Sequence, residues 1–149
     1  MAFNRATFKI TKGPNKGDTI NLEAGACRLI GRHLSENETS FIDRDGNRVL
    51  DSSASTILQE HLKDKSPQSP QDSVDFSVSA FERGPDVIFA DDSISRAHAM
   101  VFFDTTGAGI IDLASTNGTF VNDTRINSAT VKHNDVIVIG GSEMVVTLS

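Results

Sequence analysis

The chain has no tryptophan, no tyrosine and only one cysteine in 149 residues. Without Trp or Tyr it offers little of the amphipathic ring surface on which bases or partner proteins stack, so its nine Phe are read as core filling. A single thiol, Cys27, can close no internal disulfide and build no zinc site. It is read as a small buried hydrophobe, and nothing points to an oxidising compartment. Basic charge is in deficit: 14 Lys and Arg stand against 20 Asp and Glu, a net charge of −6. That excludes bulk affinity for nucleic acid or an anionic membrane, though a local positive pocket for one phosphate is compatible with it. No run approaches the ~20 apolar residues that span a bilayer. The stretch Met1–Ala6 lacks the apolar segment of a signal peptide. A cytoplasmic location is expected, and the glycosylation-like triplets at Asn37, Asn117 and Asn122 are then chance matches.

Long helices are missing as well, and what replaces them is period-two alternation. Phe8 and Ile10 alternate with Thr7, Lys9 and Thr11. The turn-rich Gly13-Pro14-Asn15-Lys16-Gly17 follows, then Thr19–Leu22 and Ala26–Ile30. The last third has the same texture, with short apolar runs at Val87–Phe89, Ala99–Phe103, Gly109–Leu113, Phe120–Val121, Val136–Ile139 and Met144–Leu148. Asp-, Ser-, Asn- and Gly-rich turns separate them. Length and spacing together predict one all-β domain over residues 1–149, a sandwich or a barrel and not a helical bundle.

Residues 33–84 break this rhythm and are read as an insertion within the domain, partly disordered. Phe41-Ile42 and Val49-Leu50 flank Arg44-Asp45-Gly46-Asn47, the pattern of a small hairpin. Thr56-Ile57-Leu58-Gln59 has the form of a capping box, predicting a short helix to about residue 65 with Ile57, Leu58, His61 and Leu62 on one face. The segment 66–73, rich in Ser, Pro and Gln, holds too little apolar area to offset ordering entropy. Val74–Phe81 alternates like a further strand. Asp43–Asn47 hints at a calcium loop, but its glycine stands too early for an EF-hand, and neither a metal nor a cofactor is implied.

Three polar elements occur in order at the ends of predicted strands: Gly31-Arg32, Ser95-Arg96-Ala97-His98, and Ser115-Thr116-Asn117-Gly118-Thr119. Together they resemble the forkhead-associated (FHA) domain family, whose signature is a Gly-Arg pair, a Ser-Arg-x-His element and a Ser/Thr-Asn-Gly-Thr loop. Arg125-Ile126, Val131, Asp135 and Val136–Gly140 resemble the usual ending of that domain. Without the insertion, the resemblance covers residues 6–32 and 85–148.

The resemblance implies an FHA-like two-sheet sandwich of the SMAD/FHA type that recognises phosphothreonine in phosphorylated partners of Ser/Thr kinase signalling and does no chemistry of its own. Phosphothreonine carries about −1.5 to −2 charge and three acceptor oxygens. A planar, permanently charged guanidinium and small donors on rigidly held loops suit it. By resemblance, Arg32, Ser95, Arg96 and Thr116 bind phosphate, and Asn117 holds the peptide backbone. Gly31, His98 and Gly118 are structural at the site. The expected partners are a phosphothreonine protein or peptide, a Ser/Thr kinase or its substrate. Two alternatives stand beside this. Arg83, in Arg83-Gly84-Pro85-Asp86, lies closer in sequence to Ser95 than Arg32 does and is the alternative phosphate arginine. A phosphate-independent FHA-fold scaffold or oligomerisation domain is the alternative function. A hydrolase built on Ser95 and His98 is set aside because no nucleophile elbow or metal motif accompanies them.

Overall fold

The computed structural model describes residues 4–34, 42, 44, 46–50, 52–62, 81–104 and 107–149. Within them the elements run β1 (Arg5–Lys12), β2 (Thr19–Glu23), β3 (Ala26–Arg32), α1 (Ser52–Leu62), β4 (Glu82–Arg83), β5 (Val87–Phe89), β6 (Ala99–Asp104), β7 (Gly107–Asp112), β8 (Thr119–Val121), β9 (Thr124–Ile126), β10 (Ser128–Val131), β11 (Val136–Ile139) and β12 (Ser142–Leu148). One sheet has the order β2-β1-β12-β11-β8-β9. The other has the order β10-β7-β6-β3-β4, with β5 also paired to β3. Of the sandwich and the barrel that the alternation allows, the two-sheet sandwich implied by the resemblance is what forms.

The inward residues of the first sheet, among them Phe8, Ile10, Ile20, Leu22, Ile137, Met144 and Val146, meet Ile30, Val101, Phe103 and Ile110 of the second in one apolar core. Burying each large aliphatic or Phe side chain contributes about 1.5–3 kcal/mol. The second sheet is covered on its other face too. There Cys27, Leu29, Met100, Phe102 and Ile111 pack with Ala54 and Leu58 of α1 and with Phe81. The Phe81 and Phe102 rings meet edge to face, centroids 5.9 Å apart. β6 is therefore buried at all six positions, which is why it reads in sequence as an unbroken apolar run rather than an alternation.

The described part of the insertion is thus packed structure. α1 begins at Ser52, a turn earlier than the capping-box reading placed it. Thr56 lies inside the helix, and its hydroxyl donates to the Ser52 carbonyl at 2.8 Å, one turn back. Ile57 is half-buried and Leu58 fully buried, as a core-facing stripe requires. Of the expected hairpin, the described residues show one antiparallel bridge, Ile42 to Arg48, and positions 41, 43 and 45 lie outside the described residues. The expected strand Val74–Phe81, apart from Phe81, and the segment 66–73 lie outside the described residues. The insertion also explains two pairings. β4 and β5 run parallel to β3, and parallel neighbours need a connection of a dozen or more residues.

Strand directions bring the ends of β3, β5, β7 and β11 and the starts of β6, β8 and β12 to one end of the sandwich. All three polar elements come to that end, Gly31-Arg32 as the last residues of β3 and the other two chiefly on loops.

Candidate functional site

His98 is the centre of this end. Its side chain is fully buried. Nδ1 accepts the Ser95 backbone N–H at 3.0 Å, so the ring proton sits on Nε2, which donates to the Gly118 carbonyl at 2.9 Å. Its backbone N–H donates to the Ile30 carbonyl, and its carbonyl accepts from the Leu113 N–H, both at 2.9 Å. Through its neutral ring and its backbone together, this one residue ties the end of β3, the 90–98 loop and the 113–118 loop together. Burial holds its pKa below the ordinary value, against the opposing pull of the Gly118 carbonyl and the Asp112 and Asp91 carboxylates. The ring addresses the Ser95 amide and not its hydroxyl, so it is not placed as a base for Ser95.

Ser95 links the other two elements. Its carbonyl accepts the Arg32 backbone N–H at 3.2 Å, and its Oγ accepts the Thr116 backbone N–H at 3.0 Å. Two successive hydrogen bonds therefore string Arg32, Ser95 and Thr116 together. With Oγ acting as acceptor, the Ser95 hydroxyl proton is left for a ligand. The exposed Thr116 hydroxyl makes no hydrogen bond among the described residues. Asn117 donates from Nδ2 to the Ser93 carbonyl at 2.8 Å, closing the 113–118 loop over the 90–98 loop. Arg32, half-buried at the end of β3, donates from Nη1 to the neighbouring His33 carbonyl at 3.0 Å. Arg96 has an exposed side chain, and its carbonyl turns inward against Gly31.

The glycines serve different needs. A Cβ on Gly31 would stand 2.0 Å from the Arg96 carbonyl oxygen, so close approach of the two backbones demands its absence. Gly118 has φ +89°, and a Cβ there would press on the Arg125 guanidinium, its Nε 2.8 Å away.

Arg83 is not brought to this cluster. It pairs with Cys27, five residues before Arg32 on β3 and so about 16 Å along the strand. Its guanidinium is committed to the Asp86 carboxylate and the Arg48 carbonyl, both at 2.9 Å.

Two carboxylates shape the loops without having been singled out from sequence. Asp112 accepts the Ser115 N–H and hydroxyl and the Thr119 hydroxyl, and Ser115 Oγ in turn accepts the Gly118 N–H. Asp91 accepts the Ser93 N–H and hydroxyl, the Gly141 N–H and the Ser142 hydroxyl, fastening the 90–98 loop to the β11–β12 turn. Burial pushes the Asp91 carboxyl up, but these hydrogen bonds outweigh it and hold the pKa below the ordinary value. The Asp-x-Ser and Asp-x-x-Ser spacings were the available signal, since Asx turns favour them. Arg32, Arg96 and Arg125 belong to this end, as do the carboxylates of Asp91, Asp112 and the exposed Asp92.

A shallow pocket lined by Asn4, Arg5, Glu23, Ala24 and Ser149 lies at the opposite end and contains none of these residues. No helix among the described residues is long and apolar enough to cross a membrane.

Residues 80–140 match the family model of the FHA domain. Over 74 residues, 48% of this chain, the sequence is 34% identical to the glycogen accumulation regulator GarA of Mycobacterium tuberculosis. The match spans 46% of that protein, so the chain spans about half the length of the curated relatives it matches. Among solved structures, the FHA domain of CT664 from Chlamydia trachomatis superposes with a TM-score of 0.57 over 96% of both chains at 19% identity. EmbR of Mycobacterium tuberculosis, solved in complex with a low affinity phosphopeptide, gives 0.56 at 20% identity over 98% of this chain and 25% of its own. At those identities the likeness is one of fold.

Proposed function

We propose, from the premise that this chain carries an FHA domain, that it is a phosphothreonine-dependent interaction module. It would recognise a phosphorylated protein, a Ser/Thr kinase or its substrate, inside the cell, and carry out no reaction itself. One observation supports the reading: the hydrogen-bonded string from the Arg32 backbone through Ser95 to the Thr116 backbone, which joins the three residues that bear a guanidinium and two hydroxyls, with Asn117 next to Thr116 on the same loop.

The chemistry fits a phosphomonoester dianion. The Arg32 fork supplies charge and two parallel donors. Ser95 and Thr116 hydroxyls donate to further phosphate oxygens, and the exposed Arg96 adds a second cation at the rim. Asn117 Oδ1 and Nδ2 suit an extended peptide backbone beside the phosphoresidue. The EmbR structure, with its phosphopeptide, supports the ligand class.

The test is titration of matched phosphothreonine, phosphoserine and unphosphorylated peptides into wild type, Arg32→Ala and Arg83→Ala. The phosphothreonine form is expected to bind best. Arg32→Ala is expected to weaken it about tenfold or more, the cost of a charge-assisted hydrogen bond, and Arg83→Ala to weaken it less. Equal binding of phosphorylated and unphosphorylated peptides would return the scaffold reading.

A further inference from the structure

We infer that Arg48, from the insertion, is a positioning residue for the phosphate-reading loop, which makes the insertion part of the recognition apparatus. This rests on the reading above.

Arg48 is 8% exposed, unusual for an arginine unless its charge is engaged. Its Nη1 donates to the Arg96 carbonyl at 2.6 Å, the peptide oxygen immediately after Ser95-Arg96. Bonds with a charged donor are about twice as strong as neutral ones. Gly31 leaves room for this contact, because a Cβ there would lie 3.0 Å from Arg48 Nη1 as well as against the Arg96 oxygen. Two backbones and one side chain thus meet at one point: the end of β3 that carries Arg32, the loop that carries Ser95, and the Arg48 guanidinium from the insertion.

The arm has a fixed base. The Arg48 N–H donates to Asp86 Oδ2 at 2.7 Å, and its carbonyl accepts from Arg83 Nη2 at 2.9 Å. Arg83 Nη2 also donates to Asp86 Oδ1 at 2.9 Å. Asn47 completes the latch: its Oδ1 accepts the Asp86 N–H at 2.9 Å, and its Nδ2 donates to the Gly84 carbonyl at 3.2 Å. Residues 47–48, within the insertion, and 83–86, at its C-terminal boundary, are bolted together, and from that junction a cation reaches the back of the Ser95–His98 loop. The arrangement gives Arg83 a role away from phosphate, as the anchor of the brace.

The test uses the full chain. Arg48→Met keeps much of the stem and removes the donors. Arg48→Lys keeps charge and one donor point. In anisotropy titrations with a labelled phosphothreonine peptide, Arg48→Met is expected to bind about tenfold or more weakly, and Arg48→Lys to recover part of the loss. Because Arg48 acts through the loop that carries Ser95, its effect is expected to shrink in a Ser95→Ala background, whereas general destabilisation would leave it unchanged. Without ligand, the Ser95 and Thr116 amides are expected to exchange faster in Arg48→Met, and the β1 amides at the wild-type rate. Wild-type affinity in Arg48→Met, an undiminished effect without the Ser95 hydroxyl, or unchanged exchange at Ser95 and Thr116 overturns the inference. Should the Met variant not fold, Arg48→Lys decides alone: intermediate affinity upholds the brace, and wild-type affinity removes it. A wild-type chain that binds no phosphothreonine peptide sinks the functional reading instead, and the exchange comparison then decides the brace by itself.

Discussion

Replacing Gly31 by alanine adds one methyl group at the most crowded point of the loop end. The new Cβ would sit 2.0 Å from the Arg96 carbonyl oxygen and 3.0 Å from both its carbonyl carbon and Arg48 Nη1. The obstacle on the near side is backbone, so relief requires the Arg96 peptide to retreat by roughly 1 Å in a close-packed surrounding. Overpacking of this kind costs about 1–3 kcal/mol, or roughly 3–9 °C in melting temperature for a domain of this size. The larger consequence falls on recognition, because the retreating peptide carries Ser95 and Arg96 with it. Binding groups need to be held to about 0.5 Å, so phosphothreonine-peptide affinity is expected to fall tenfold or more. Gly107→Ala supplies the control. It sits at the opposite end with φ +133°, and the nearest atom to its Cβ is 3.9 Å away. It is expected to cost about 1–3 kcal/mol of stability through backbone strain and to leave affinity alone. Thermal unfolding and peptide titration of the two variants separate the effects. Gly31→Ala binding within twofold of wild type would refute the reasoning.

Three further outcomes follow from the same geometry. His98 is held below its ordinary pKa by burial, so the unfolded chain takes up this proton first. Its contribution to stability is therefore full above about pH 6.5 and declines as the pH falls from there towards the folded-state value. Denaturant unfolding between pH 7.5 and 5 is expected to show a steeper loss in wild type than in His98→Gln, and equal slopes would contradict this. Leu58→Ala empties a fully buried position under α1 and is expected to cost about 2–5 kcal/mol; a loss below about 1 kcal/mol would mean that the helix does not cover the second sheet. Cys27 is fully buried, and burial pushes its thiol up to about 12. It is expected to resist alkylation at pH 8 in the native protein and react in denaturant, and rapid native labelling would contradict its placement.

Much of this architecture could be read from the chain. Alternation at Phe8, Ile10, Ile20 and Leu22 gives the core face of β1 and β2 directly, since a strand buried on one face has no other pattern available. The three polar elements were legible because each follows or precedes such a run. What escaped depended on tertiary contact. The apolar stretch in β6 gives no hint that Met100 and Phe102 need a cover or that α1 provides it. The start of α1 was misplaced because Thr56 and Gln59 have the spacing of a cap, while the helix is set by packing of Ala54 and Leu58. Arg32 and Arg83 could not be ranked by distance along the chain, because the parallel return of β4 puts Arg83 beside Cys27. Arg48 carries no local signal at all, since its partners Asp86 and Arg96 are 38 and 48 residues away.

The most direct measurement is amide chemical-shift mapping of the full chain with a phosphothreonine peptide and its unphosphorylated twin. The account expects the largest changes at Arg32, Ser95, Thr116 and Asn117, and only with the phosphorylated form. Largest changes near Arg83 and Cys27 or around Arg5 and Ser149, or identical changes with both peptides, would contradict it.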